Sequence, residues 1–448
     1  MRYWLSLTAL LSFSSAYAAE VPEFDFSFDA AESQRQSVIE ESTQETTGFD
    51  FNFNEPTKDD KTEFPLRGKI AFDLGYQLGS PSRWQTIGPS AQLIFDWSGE
   101  ASGINIGQIY GELTTRYNHA YRLESDPPAI EDKYRLNSNL RELYWKRAFA
   151  DYSVTVGRAI IAWGKADLLP VIDVVSPSDS SQLLFAKPEE LRLGQDLIKL
   201  DWYKGDSELN LIYTPRARYN LITDYGHPYS MMLPGVSDQI DDNESEWGIR
   251  WTTISDKLEY GFITGDFSLR DPLLVGTELT YVKSNMLGAN IIYSRAPFLW
   301  KGEFIYLKDS PYQRADYSGY DTIDTLKGTI GFDYASTHYG NWIVEYNGAL
   351  TRSTPPTPLF GGSTGVVGIS WSEQYLRDDL SINATVMLVG GTDNRLLRIG
   401  GSYKLDDDWS VTSLLTIINA DSSEPLYQMM SEFDRLDLSI EYGFDLSQ

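Results

Sequence analysis

From Arg67 onward the chain alternates apolar and polar positions with a period of two. Ile70, Phe72, Leu74 and Tyr76 alternate with Lys69, Ala71, Asp73 and Gln77, and Leu93, Phe95 and Trp97 alternate with Gln92 and Asp96. The stretch Leu140–Asp179 shows the repeating unit most clearly. Leu143 and Trp145 share one face of a strand, and Glu142, Tyr144 and Lys146 share the other. Ala150-Asp151 makes a short turn, Tyr152–Ile161 is the return strand, and a long polar loop follows Trp163-Gly164. Each strand therefore offers an apolar, aromatic face to one solvent and a charged face to another. A transmembrane β-barrel has that requirement, with lipid outside and a wet lumen inside. A soluble sandwich would bury the apolar face instead.

The connections decide between these alternatives. Short turns at Gly99–Gly103, Ala150-Asp151, Gly205-Asp206, Ser255–Lys257, Asp378-Asp379 and Asp406–Asp408 alternate with long loops near 118–138, 164–195, 216–245, 308–324, 353–363 and 420–434. Short turns at one rim and long loops at the other form the outer-membrane pattern, with an even strand number. The pattern predicts an all-β transmembrane antiparallel barrel of about 18 strands, 16 being the alternative, over residues 66–448. Glu278–Ser294 is read as one long descending strand, which preserves the parity. The last strand, Leu436–Phe444, alternates cleanly and ends on an aromatic residue, resembling the signal read by the barrel assembly machinery. The 164–195 loop is long enough to fold inward as a constriction, and Lys187-Pro188-Glu189-Glu190-Leu191 is suited to open a short helix there.

Two segments precede the barrel. Met1–Ala18 has a basic start at Arg2, an apolar run from Leu5 to Phe13 and an Ala16-Tyr17-Ala18 cleavage site, the build of a secretory signal peptide. Residues 19–65 carry 13 acidic residues against three basic ones, too polar to bury a core, and are expected to form a disordered periplasmic tail. The tail holds an echo: Phe24, Phe26 and Phe28 recur as Phe49, Phe51 and Phe53, each trio lying on one face of an extended strand. Such a peptide suits binding to a periplasmic partner by strand addition or by filling apolar pockets.

Composition narrows the chemistry. With no cysteine in the chain, disulfides and thiolate metal sites are excluded. A formal charge of −27 argues against nucleic acid as a partner. The three histidines, His119, His227 and His338, match no metalloprotease or nucleophile-elbow spacing, and are expected to be solvated loop residues. The expectation is no enzymatic reaction and no cofactor, with a barrel hydrolase as a remote alternative. Asp238, Asp241, Asp242 and Glu244 crowd one loop and Asp406–Asp408 one turn, which leaves calcium open and the metal content unassigned.

Within 140–179 the succession Glu142, Tyr144, Gly157-Arg158, Trp163-Gly164 and Ser176-Pro177-Ser178-Asp179 resembles a family of proteobacterial outer-membrane β-barrels of undefined function, often encoded beside RND-type exporters. Leu287-Gly288-Ala289 and Lys301-Gly302-Glu303 look like that family's later strand pattern, with Lys301 where the family has Arg. The alginate-exporter and porin-like barrels share a similar Gly-Arg and Trp-Gly element. The resemblance implies an outer-membrane channel or export accessory for a solute or lipid-like cargo, working with an RND-type pump. The second reading is an outer-membrane anchor that binds a periplasmic partner through its phenylalanine repeats.

Alternation assigns Glu142, Tyr144, Lys146, Lys199, Asp201, Arg250 and Glu345 to the lumen, and Trp163, at the start of the long loop, is counted with them as a lumen and channel residue. Arg158 is expected to join them, because a charge on the lipid face near the midplane costs about 2–4 kcal/mol. The lumen signs are mixed, which points to a structured, partly filled interior rather than an ion-selective ring.

Overall fold

The computed structural model describes residues 65–101, 104–124, 128–181, 191–230, 235–236, 244–314, 318–336, 338–351, 365–390, 394–419 and 433–446. The expected signal peptide, nearly all of the tail with its six repeat phenylalanines, the Lys187–Glu190 segment and Asp238, Asp241 and Asp242 lie outside these residues.

Twenty strands follow in chain order: β1 (Leu66–Gln77), β2 (Arg83–Ala101), β3 (Ile104–Tyr117), β4 (Leu136–Ala148), β5 (Tyr152–Ala159), β6 (Gln195–Lys204), β7 (Ser207–Thr214), β8 (Glu246–Ser255), β9 (Leu258–Ser268), β10 (Leu273–Val275), β11 (Glu278–Thr280), β12 (Lys283–Arg295), β13 (Phe298–Gln313), β14 (Tyr320–Ser336), β15 (Gly340–Thr351), β16 (Val366–Tyr375), β17 (Leu380–Val389), β18 (Asn394–Lys404), β19 (Trp409–Asn419) and β20 (Arg435–Asp445). Two short helices, α1 (Ala120–Leu123) and α2 (Pro128–Tyr134), lie between β3 and β4.

Eighteen of these strands form one antiparallel sheet, and β1 pairs with both β2 and β20. The sheet thus closes on itself and leaves no open edge, the only way strands satisfy their backbone groups in lipid. β10 and β11 pair only with each other, as a small hairpin between β9 and β12. The reading of Glu278–Ser294 as one strand is corrected here: Glu278–Thr280 belongs to that hairpin, and the descending barrel strand starts at Lys283. The parity survives because a hairpin adds two strands or none.

The outward face is apolar. Phe72, Trp145, Ile198, Phe262, Leu287, Trp300, Ile330 and Ile440 are all exposed to the surroundings. Aromatic clusters gather at the short-turn ends, where Phe298 packs on Tyr334 at 5.1 Å and Trp409 on Tyr442 at 5.1 Å. A belt of this kind, with an aromatic girdle, belongs in a bilayer. The protein is an outer-membrane barrel of the Gram-negative type.

Candidate functional site

The lumen is not empty. After β5 the chain turns inward, and residues 160–181 pack against the inner wall. The expectation of a polar loop after Trp163-Gly164 is corrected here, because Leu168, Leu169, Ile172 and Val175 are buried apolar residues that would be misplaced in an exposed loop. Ile161, Trp163, Ile172 and Val175 join inward-facing Leu197, Ile212, Ile263, Phe267, Met286, Ile305 and Leu307 in one core. Trp163 is 2% exposed and meets Phe267 edge-on at 5.9 Å between ring centres. Glycines on the wall allow the close approach. A Cβ on Gly248 would lie 2.7 Å from the Trp163 ring, and one on Gly368 would lie 3.0 Å from Leu168 Cδ1.

An irregular segment inside a barrel must still satisfy its backbone N–H groups. Here wall carboxylates take that role. Glu303 on β13 accepts the N–H groups of Lys165, of Ala166 at 2.7 Å and of Val171 at 2.9 Å. Glu345 on β15 accepts those of Asp167 at 2.7 Å, Leu168 at 3.0 Å and Leu169 at 2.8 Å. Both carboxylates are almost fully buried, at 0% and 1% exposure. Asp173, within the segment, accepts the N–H groups of Trp163 at 2.6 Å and Gly164 at 2.7 Å, and pairs with Arg192. Thr329 donates its hydroxyl proton to the Leu169 carbonyl. Ion pairs flank the anchor: Lys301 bridges Asp167 and, at 2.7 Å, Asp333, and Lys165 meets Glu259 at 2.7 Å. The segment is a plug, leaving the barrel between β5 and β6 and fastened across the lumen on β13–β16.

A second segment, 215–230, leaves between β7 and β8 and crosses the other way. Tyr229 reaches β20, where its hydroxyl accepts Arg435 Nη1 at 2.7 Å. The two segments meet at a short ladder: the Leu221 N–H donates to the Ser178 carbonyl at 2.9 Å, and the Ser180 N–H to the Leu221 carbonyl at 2.9 Å. Arg270 clamps the crossing. It donates to the carbonyls of Val174 at 3.0 Å, Val175 at 2.7 Å and Arg218 at 3.0 Å, and to both oxygens of Glu246 on β8.

The expected solvated histidine is not one. His227 is 5% exposed, and burial pushes its pKa down to about 4. Its Nδ1 accepts the Tyr229 N–H at 3.2 Å, so the neutral ring directs its Nε2 proton to the Tyr121 hydroxyl at 2.8 Å. With both nitrogens committed, His227 serves to pack the second segment and has no free nitrogen to act as a base. Among the described residues no group of three or more His, Asp or Glu is placed to hold a metal ion, and Asp406 caps its own turn by accepting the Trp409 N–H at 2.7 Å.

Of the residues expected in the lumen, Tyr144, Lys146, Lys199, Asp201, Arg250 and Glu345 lie on inward faces, Tyr144 stacked on inward Tyr110 at 5.2 Å. Glu142 accepts the Ile160 N–H at 2.7 Å, where the chain turns inward, and Trp163 is part of the plug. Charges of opposite sign pair along the wall, as in Lys199–Asp201 at 3.0 Å and Arg435–Asp437 at 2.5 Å. Arg158 is a correction. Ser153, Thr155 and Ala159 are the buried inward residues of β5, so Arg158 shares the outward face with Val154 and Val156. It grips Asp196, outward on β6, with Nε–Oδ1 at 2.8 Å and Nη2–Oδ2 at 3.0 Å. The pair sits at the long-loop ends of both strands, above the apolar belt, where an outward charge costs little. Arg270 and Glu246 carry no sequence signal, and Lys301 and Glu303 are marked only by the Lys301-Gly302-Glu303 resemblance, which gives them no anchoring role. Lys301 and Glu303 share the inward register of β13, which was the signal available for that role.

No family model matches the chain, and no curated protein matches it in sequence. Solved structures do match in shape. OccAB1 of Acinetobacter baumannii is 10% identical, with 86% of this chain and 98% of that one covered at a TM-score of 0.51. OccAB4 of the same organism is also 10% identical, with 86% and 100% covered at a TM-score of 0.50. These likenesses concern the fold alone, and that fold is the outer-membrane barrel with 18 strands.

Proposed function

We propose that the protein is an outer-membrane channel for a polar solute, narrowed by the inward plug 160–181. The observation that supports this most is where the plug lies. It is fastened by hydrogen bonds to β13–β15, while inward residues beside these anchors and on other strands keep their contact with solvent. Lys327, between inward Thr325 and Thr329 on β14, is exposed, and Asn347, Asn383 and Lys146 are half-buried. A filled, purely structural barrel would bury these polar groups in paired contacts. The mixed, paired charges of the wall favour a polar or zwitterionic path over a single-sign filter.

The test is ion current. The purified full-length protein in planar bilayers should give discrete conductance steps. A folded, heat-modifiable barrel that inserts and passes no current would refute the channel reading.

Work as an accessory to an RND-type exporter is the finer form of this proposal, and rests on the resemblance over 140–179 and 287–303. Partner binding by the phenylalanine repeats rests on the sequence of the tail. Pull-down with the tail peptide, against a version with all six phenylalanines changed to Ser, tests it; equal recovery of every protein by both would end it.

A further inference from the structure

The inner wall has two chemically different halves. On β7, β9, β12 and β13, inward Ile212, Ile263, Met286, Ile305 and Leu307 belong to the core beneath the plug. On β16–β19 the same inward register carries serine, threonine, asparagine and glutamine. Gln374 lies opposite Ser381, and Ser372 opposite Asn383. Ser381 in turn meets Ser402, and Ser402 meets Thr412. No inward position within 370–374, 381–385, 400–402 or 410–412 holds a charged residue.

This patch is open to the lumen. Gln374, Ser381 and Asn383 are half-buried. Among the described residues their side chains bond to no protein group, and their polar atoms keep contact with solvent. Asn383 faces Gly400, where a Cβ would lie 2.7 Å from its Oδ1, so the missing side chain leaves the amide room along the wall. The patch also adjoins the plug. Leu168 meets β16 at Gly368, where a Cβ would lie 3.0 Å from Leu168 Cδ1. Ser372 lies four residues further towards the short turn, about 13 Å at about 3.3 Å per residue.

The chemistry of the patch says what it suits. A charged solute crossing it would meet no counter-charge in return for lost hydration. A solute hydroxyl both donates and accepts, as do the Gln374 and Asn383 amides and the Ser381 hydroxyl. Each such bond replaces one to water, so its net gain is small. Weak contacts repeated along a surface let a solute enter and leave, which conduction requires.

We infer that the path past the plug runs along β16–β19, and that Gln374, Ser381 and Asn383 form its contact surface for a small neutral polyhydroxylated solute, a sugar or polyol. The inference rests on the channel reading and specifies its cargo class.

The experiment uses the full chain in planar bilayers, with each current referred to the bulk conductivity of its solution. Asn383→Asp and Asn383→Lys test the path. In a potassium chloride gradient they should shift the reversal potential in opposite directions, towards cations and towards anions. Glucose tests the solute, with gluconate as its anionic counterpart. Glucose should reduce the wild-type current, and its half-blocking concentration should rise about tenfold in Gln374→Met/Ser381→Ala/Asn383→Leu. Asn383→Ala alone, with an expected rise of about threefold, serves if the triple variant does not fold. Unshifted reversal potentials in both charged variants overturn the path. A wild type that glucose does not block, or block unchanged in the variants, overturns the solute surface. Tighter block by gluconate than by glucose overturns the solute class. A wild type that carries no current removes the channel reading itself, a separate failure.

Discussion

Removing the carboxylates that hold the plug should open the lumen without unfolding the barrel. Glu303 and Glu345 each accept three backbone N–H groups from residues 165–171. Glu303→Ala leaves three donors with no acceptor. At roughly 1–3 kcal/mol for each orphaned buried donor, the fastened state loses roughly 3–9 kcal/mol. The milder Glu303→Gln/Glu345→Gln pair keeps one carbonyl oxygen at each site but turns an amide NH₂ toward the remaining donors, so it should weaken both anchors while leaving side-chain volume unchanged. The barrel ladder is independent of these bonds, so heat-modifiable migration should persist. The plug itself should detach from β13–β16. The assay is single-channel conductance, paired with thiol labelling of Leu168→Cys, which is 1% exposed in the fastened state. The Gln pair should raise conductance and speed labelling at least tenfold, since a loss of about 1.4 kcal/mol is already a factor of ten in a local opening equilibrium. Unchanged conductance together with unchanged protection of residue 168 would refute the anchoring argument.

Three further outcomes are expected. Arg158→Ala should leave conductance unaltered and reduce barrel stability modestly, with a coupling to Asp196 of about 0.5–1 kcal/mol in a double-mutant cycle by urea unfolding, because the pair faces outward and is partly exposed; altered conductance with unchanged stability would return Arg158 to the lumen. A cysteine at Tyr225, 60% exposed on the second crossing segment, should label on intact cells, whereas cysteines at Asp151 and Asp407 in short turns should not, and the reverse pattern would invert the barrel. Because burial holds folded His227 near pKa 4 while an unfolded histidine titrates near 6.5, the unfolded state binds the extra proton between those values; packing of 118–124, 128–135 and 221–230 should therefore weaken as pH falls from about 6.5 to about 4, read by hydrogen exchange, and His227→Gln should lose that dependence.

The barrel was legible because its strands face two solvents at once, so the period of two recurs wherever a strand crosses. Strand parity followed from loop lengths, and only the β10–β11 hairpin, two three-residue pieces of mixed pattern, escaped. The plug was half legible: the length of its loop suggested an inward fold, and its apolar residues have no other place to go. Its anchors were not legible, since Glu303 and Glu345 meet backbone groups more than 130 residues away, and nothing local marks a wall carboxylate as an acceptor for a distant coil. Arg158 is instructive. Alternation along Ser153–Ala159 already placed it outward, and the cost of a charge in lipid was set against that alternation. Asp196, 38 residues on and opposite it in register, together with the position at the strand end, removes most of that cost. His227 was misjudged for a similar reason, because its aromatic enclosure by Tyr121, Tyr134 and Tyr229 is assembled from two loops distant in sequence.

The central claim is that residues 160–181 lie inside the barrel against β13–β16, and a disulfide tests it most directly. A Cβ built on Gly368 lies 3.4 Å from Leu168 Cβ, close to the span a disulfide requires. The native chain has no cysteine to interfere. Leu168→Cys/Gly368→Cys should therefore link on mild oxidation of the folded barrel in membranes, closing a loop of about 200 residues that reduction reopens with a visible shift in denatured mobility. Both thiols remaining free, and both labelling rapidly from bulk solvent, would place the plug outside the lumen and contradict the account.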